Sequence, residues 1–474
     1  MNIDIEAIRA RLPEQRWFGG KTRPIEAVEI FDRGVIEDGP PTLVLTLLRV
    51  RFADGGDDLF HLPLLVEEDG SSRDAFEDAS VLRVFGELMA QGSTIKGDHG
   101  IFEFNGPGLN PSAPPGHGSA RVMSAEQSNT SFVLDEQTIV KMYRRLAVGT
   151  NPDLELARVL TTASFDHIPT HVGEITYEFE EDDEPLSMDL GLAQAFLPDG
   201  KEGWTHAIER LHELYDAADP ADVREDFAFL TEERGGDFLA EIEELGDATG
   251  ALHVALSREE NEPASTPEAI DEWDLKEWAK SARGSLDRLL DEGVGELRPY
   301  AMAIRSRIAR IEEVEDRGFK TRIHGDYHLG QVLLTSRGWM ILDFEGEPAR
   351  TLEERRAKHT PLRDVAGMLR SFSYAAVAAL FQRADPDTPA WTSLSPWATT
   401  WERLARERFL AGYLTKSHEG DFLPSDREDI NLMLDVLEID KALYELGYER
   451  GHRPEWVRIP LRGIAQIAER GDGE

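Results

Sequence analysis

Residues 321–350, TRIHGDYHLGQVLLTSRGWMILDFEGEPAR, carry the acids around which the rest of the chain is organised. Two short apolar runs, at Arg322 and Ile323 and at 339–342, each deliver a carboxylate at or just past their ends. The first is Asp326 in His324-Gly325-Asp326, the second Asp343 in Leu342-Asp343-Phe344. Between them lies a turn signal, Thr335-Ser336-Arg337-Gly338, so the spacing predicts a hairpin-like fold-back that brings both acids to one place. Gln331, a neutral oxygen donor, follows shortly after Asp326.

Acid, amide, acid in this order suits phosphoryl transfer of the protein-kinase type. Moving a γ-phosphoryl group needs a carboxylate to orient the attacking hydroxyl and take its proton, and Mg²⁺ held by hard oxygen ligands. Asp326 fits the first task, and Gln331 and Asp343 fit the second. Taken singly, each could be a turn former at a strand end; the joint spacing favours chemistry. A rival reading places His324, Asp326 and His328 on one strand face as ligands of a hydrolytic metal site, but the pattern supplies no clear further ligands.

Composition narrows the classes. The 474 residues predict two or three folding units. With 51 basic against 91 acidic residues, the formal charge of −40 repels nucleic acid and anionic membrane and argues against both as partners. The acids are dispersed along the chain, a solubility device suited to a high-salt cytoplasm. The absence of Cys excludes disulfides and thiolate chemistry. There is no basic-then-apolar leader and no apolar run near ~18 residues, so a soluble, cytoplasmic monomer is expected.

In chain order, residues 1–104 read as a sheet-rich cap, 105–200 as a nucleotide-binding part, and 201–474 as a helical lobe. A helix at 2–12 stops at Pro13, and Gln15-Arg16-Trp17-Phe18-Gly19-Gly20-Lys21 forms a packed corner. Strands follow at 27–31, 42–52 and 59–66, then a helix at 80–90 and a Pro/Gly-rich loop at 105–117. Two strands flanking the small polar run 124–131 can cover phosphates with backbone N–H groups and hydroxyls, which makes Ser128, Asn129 and Thr130 ATP-binding candidates. Lys141 lies on the next strand. Asn151-Pro152-Asp153-Leu154-Glu155 starts a helix, predicting a Lys141–Glu155 pair that fixes the α- and β-phosphates. A hairpin over 177–197 ends where an adenine could pair with the main chain at Gln194 and Phe196. Apolar periodicity then predicts helices at 205–215, 238–256, 270–291, 299–314, 362–380, 397–414 and 427–448, with His253 a packed core histidine.

The motifs QRWFGGK, IHGDYHLGQVL, LDFEGEPAR, PLRDVAGMLRS, KALYELGYE and RPEWVRIPL together resemble the maltokinases, over about residues 15–464. The resemblance implies an α+β, bilobal kinase-like fold of the aminoglycoside-phosphotransferase type. It would have a sheet-rich N-terminal cap, a mixed nucleotide-binding lobe and a mostly helical C-lobe. It further implies ATP as co-substrate, Mg²⁺ as cofactor, and phosphorylation of maltose at its anomeric hydroxyl to maltose 1-phosphate for α-glucan synthesis. Asp326 would be the base, with Gln331 and Asp343 on the metal. The family's sugar site resembles the segment holding Lys441, Tyr444, Glu445 and Tyr448, whose spacing i, i+3, i+4, i+7 is one helix face. Two departures, a Gly-free nucleotide loop and a loose match at 198–204, bear on nucleotide preference. The alternatives are a kinase of another sugar or amino sugar such as glucosamine, and a catalytically silent regulatory module. Retention of Lys141, Glu155, Asp326, Gln331 and Asp343 together argues against the last.

Overall fold

The computed structural model describes residues 3–109, 119–123, 128–218, 227–258, 266–348 and 350–470. Part of the expected Pro/Gly loop and residues 124–127 of the small polar run lie outside these. The chain forms two compact units, Met1–Thr162 with Ile168–Pro198, and Ala163–His167 with Asp199–Glu474.

In the first unit the helix Ile5–Arg11 is capped by the Asp4 carboxylate, which accepts from the Ala7 N–H. The α-helix ends at Arg11, just before Pro13, as expected. Pro13 sits inside a 3₁₀ turn, Leu12–Glu14, where the missing N–H costs nothing at the start of a helix. A six-stranded sheet follows, built on Thr42–Phe52. That strand is apolar on both faces because both are covered. Leu43, Leu45 and Leu47 pack into the cluster containing Val81 and Phe85, whereas Val44, Leu48 and Val50 pack with Ile8, Trp17 and Phe18. The QRWFGG corner closes the latter side: Phe18 meets Phe52 and Phe60, and a Cβ on Gly20 would approach the Phe52 ring to 2.8 Å.

A second, seven-stranded sheet runs Thr94–Lys96, Ile101–Asn105, His171–Glu181, Glu184–Ala195, Thr138–Met142, Thr130–Leu134, Ala120–Val122. The boundary expected at residue 104 therefore falls inside Ile101–Asn105, a strand of the second sheet. Conversely, Arg145–Leu146 returns to pair with the first sheet through Asp57–His61. The hairpin His171–Glu181/Glu184–Ala195 turns on Asp182 and Asp183, both at positive φ (53° and 62°), the conformation that suits two-residue hairpins.

The second unit is mostly helical. Its longest helices, Phe227–Leu256 and Pro389–Ser417, pack so closely that a Cβ on Gly246 would strike the Phe409 backbone, and one on Gly412 the Glu243 backbone. A three-stranded sheet of Lys201–Glu202, Val332–Thr335 and Gly338–Ile341 precedes the second acid. The predicted turn at 335–338 is present, but the hairpin's first arm is Val332–Thr335 and not the run at Arg322 and Ile323. Those two residues lie in a loop, since the next backbone N–H groups, of His324 and Gly325, bond to a side chain and not to a strand.

Candidate active site

The side chain that takes those N–H groups is Asp364, on the helix Leu362–Phe381. Its carboxylate is buried and accepts from His324 N at 2.7 Å and Gly325 N at 2.9 Å. His253 Nε2 lies 3.2 Å away, and its other nitrogen is 3.1 Å from the Tyr413 hydroxyl, so His253 is the hydrogen-bonded core residue its helical face suggested. Burial alone would raise the Asp364 pKa, but the His253 contact and the nearby charges outweigh it and hold the carboxyl below its ordinary range. Gly325 has φ 84°, and a Cβ there would come within 3.3 Å of Gly346 Cα. Gly is thus required both for the left-handed turn and for the close pass of the two acid-bearing loops.

This fixed loop presents Asp326, partly exposed, with Lys441 Nζ 3.7 Å from its Oδ1. His328 Nε2 is 4.0 Å from Asp326 Oδ2. Burial, with the charge of Lys441 in the same direction, holds His328 below its ordinary value despite the opposing Asp326, so the ring is neutral at pH 7. His324 is committed elsewhere: Nε2 faces Leu342 O at 2.8 Å, and Nδ1 accepts from Asp326 N at 3.4 Å. With both ring nitrogens bonded to main chain and no strand at 324–328, His324, Asp326 and His328 do not form the shared face that a hydrolytic metal site needs.

Leu342 N donates to Gln331 O at 2.9 Å, which brings the amide beside the second acid, and Gln331 Nε2 lies 3.1 Å from Asp343 Oδ2. Asp343 itself is at φ 64°, a strained position that short polar side chains tolerate best. A carboxylate oxygen of Glu345 lies within 4.8 Å of one from Asp343. Two carboxylates and an amide oxygen are hard donors that fit Mg²⁺.

Within the same unit, a cavity of about 390 Å³ is lined by Trp204, His328, Tyr374, Lys441, Glu445, Arg453 and Trp456, among others. The predicted sugar face on the helix Arg427–His452 divides here. Lys441 and Glu445 line the cavity, whereas Tyr444 and Tyr448 are 46% and 47% exposed and do not. Tyr444 hydrogen-bonds Glu347, and Tyr448 stacks on His452 at 4.3 Å. The aromatic wall comes instead from Trp204 and from Tyr374 stacked on Trp456 at 6.1 Å, residues the sequence reading did not select because they lie on separate elements. Two arginines support the floor. Arg370 donates to Glu445 Oε2 from Nε (3.0 Å) and Nη2 (2.8 Å), and Arg453 grips Glu449 at 2.6 and 2.8 Å.

In the first unit Lys141 projects from the middle of Thr138–Met142, and its Nζ donates to Asp153 Oδ2 at 3.0 Å. Glu155, the acid expected to pair with Lys141, lies buried on the same helix, Pro152–Thr162, so Asp153 adds a partner that the spacing did not single out. Asp153 sits nearer the helix start, where Asn151 Oδ1 accepts its N–H at 2.9 Å as the N-cap pattern predicts. Ser128 and Asn129 precede the strand Thr130–Leu134. Thr130 Oγ1 accepts from Arg144 Nε at 2.8 Å, and Arg144 also bonds Asp74 at 2.5 Å and covers Trp17. The main-chain positions named for adenine lie at the end of the strand Glu184–Ala195 and just past it. Gln194 is flanked by strands on both sides, pairing with Ile139 and His171, and Phe196 N donates to Gln137 O at 2.7 Å.

Residues 12–84 match the maltokinase N-terminal cap domain, and residues 205–397 match the phosphotransferase enzyme family. A glucosamine kinase of Mycolicibacterium smegmatis is 25% identical over 365 residues, 74% of this chain and 80% of the relative. One of Streptacidiphilus jiangxiensis is 25% identical over 355 residues, 73% of each chain. Among solved structures, a glucosamine kinase in a second crystal form has a TM-score of 0.70 at 20% identity, covering 97% of both chains. Another, in complex with glucosamine, ADP and inorganic phosphate, has a TM-score of 0.68 at 19% identity, covering 94% of both. At that identity the structures show a shared fold, and no described helix of this chain is long and apolar enough to cross a membrane. The chain is a phosphotransferase, a kinase, in which residues 12–84 match a maltokinase-type N-terminal cap and residues 205–397 match the phosphotransferase enzyme family, on an α+β kinase-like fold.

Proposed function

We propose that the protein transfers the γ-phosphoryl group of ATP to maltose at its anomeric hydroxyl. The observation that carries this reading is the placement of Asp326 beside Lys441, a residue of the aromatic-walled cavity. A sugar bound there lays its apolar faces on Trp204 and on the Tyr374–Trp456 stack, while its hydroxyls meet Glu445 and Lys441. Asp326 takes the proton of the attacking hydroxyl, the hydroxyl oxygen bonds to the γ-phosphorus, and ADP leaves. Lys441, 3.7 Å from Asp326 Oδ1, stands beside the carboxylate that takes the proton. Bound by Asp343 and Gln331, with Glu345 alongside, Mg²⁺ would neutralise charge on the phosphates. Lys141, oriented by Asp153, serves the nucleotide phosphates, and Ser128, Asn129 and Thr130 lie at the strand start expected to cover them.

Two separate aromatic surfaces favour an acceptor with two rings, and the cap match supports maltose. The second reading, glucosamine, is favoured by the names of the 25%-identical relatives. A panel of maltose, glucose and glucosamine with ATP and Mg²⁺, scored by ADP release, separates them. Maltose is expected to show the highest kcat/KM; preference for glucosamine would end the maltose assignment and leave the kinase assignment standing.

A further inference from the structure

We infer that Arg370 sets the charge class of the acceptor: by neutralising Glu445 from beneath the cavity, it makes the site one for a neutral sugar and selects against a cationic amino sugar. The inference rests on the sugar-kinase reading above and refines its substrate. Arg370 is 1% exposed, and both Nε and Nη2 converge on a single oxygen of Glu445, Oε2. Oε1 carries no hydrogen bond among the described residues and belongs to a side chain that lines the cavity. A buried guanidinium keeps its charge when it has a well-placed carboxylate, and here Glu445 outweighs the burial that would otherwise discourage it.

The two protonation classes of acceptor read this arrangement differently. A hydroxyl needs only a lone pair, and Oε1 supplies one whether or not the carboxylate is already paired. An ammonium must recover its hydration from uncancelled negative charge, and the neighbouring acids are already matched. Glu445 is held by Arg370, Glu449 by Arg453, and Asp326 stands beside Lys441. Glu202 is the remaining acid on the cavity wall; it is exposed, so water screens it. Lys441 lies one helical turn before Glu445 on the same face and adds repulsion. Arg370 touches Glu445 and not the sugar, so it is a positioning residue.

Glucose and glucosamine are a matched pair, differing by a hydroxyl against an ammonium, and the readout is the ratio of their kcat/KM values, with maltose as a third acceptor. In Arg370→Gln the ratio should shift towards glucosamine by roughly tenfold or more, the scale of uncovering one charge at a binding surface, with the change falling on KM rather than kcat. Arg370→Lys retains the charge and should hold the ratio near that of the unaltered protein. Glu445→Gln leaves Arg370 unmatched and should shift the ratio the other way. If Arg370→Gln depresses both sugars alike, the arginine is only packing and the inference is overturned. Should that variant fail to fold, an unmoved ratio in Glu445→Gln overturns it equally. If the unaltered protein phosphorylates no sugar, the functional reading falls by itself. The same ratio is then read as Kd by calorimetry, where equal affinities or no binding of either sugar overturn the inference as well.

Discussion

Replacing Asp364 by Asn should destabilise the helical unit and loosen the loop that carries Asp326, with a size set by hydrogen bonds already counted. The carboxylate accepts from His324 N and Gly325 N on different oxygens and contacts His253, and Asp364, His324 and His253 are all buried. An Asn amide has one acceptor oxygen, so in either orientation its NH₂ faces a backbone N–H. One charge-assisted bond, worth about 1.5–3 kcal/mol, is lost and a buried donor is left unsatisfied at about 1–3 kcal/mol. A cost of about 3–5 kcal/mol follows, which at about 2 °C per kcal/mol for a unit this large is a fall of about 6–10 °C in Tm. Thermal unfolding followed by tryptophan fluorescence measures it, alongside kcat. The pH dependence gives a second arm. The folded Asp364 pKa lies below its unfolded value near 4, so its stabilisation is complete above that value and lost as pH falls through the folded one. The gap between the unaltered protein and Asp364→Asn should therefore narrow as pH falls below about 4. A loss under about 1 kcal/mol at neutral pH, or a gap that does not narrow in acid, would refute the assignment of the carboxylate as the loop's anchor.

Asp326→Asn keeps the shape of the side chain and removes the base, so turnover should drop by about 10²–10⁴ while ATP affinity by titration changes little; a drop below tenfold would move the proton acceptor elsewhere. Lys141→Ala and Asp153→Asn should both raise the KM for ATP, whereas Glu178→Ala, exposed on a strand of the same sheet, should not; equal effects from all three would dismiss the pair. EDTA should abolish turnover and added Mg²⁺ restore it, and activity surviving full chelation would remove the metal role of Gln331 and Asp343. Trp456→Ala should raise the KM for maltose by about tenfold with kcat less affected, as loss of an aromatic face predicts; an unchanged KM would take the acceptor out of this cavity.

Short-range rules made much of the chain legible in advance. The Asn151 cap, the acidic turn of the 177–197 hairpin and the strand Thr42–Phe52 each follow from chemistry within a few residues of themselves and are where that chemistry placed them, whereas the long helices Phe227–Leu256 and Pro389–Ser417 begin well before the periodicity expected at 238 and 397. The spacing of Asp326, Gln331 and Asp343 was readable too, because a four-residue turn signal joins them, although the first hairpin arm begins later than the apolar run implied. Periodicity also put Lys441, Tyr444, Glu445 and Tyr448 on one helix face, but a face is wider than a cavity wall. Which of the four turn inward depended on how the helix Arg427–His452 packs on Leu362–Phe381, and the two tyrosines fall outside. The same limit explains Asp364, Arg370, Trp204, Tyr374 and Trp456. They come to the Asp326 loop and the cavity from separate elements, and no local pattern registers a partner on another element. Lys141 is the subtler case, since Asp153 and Glu155 both sit at the start of one helix and only the approach of that helix to the strand brings Asp153 within hydrogen-bonding distance. The chemistry available to this protein was thus written in residue types and spacing. The pairing of each charge was left to the tertiary structure, because electrostatic contacts depend on distances of a few ångströms that only packing sets.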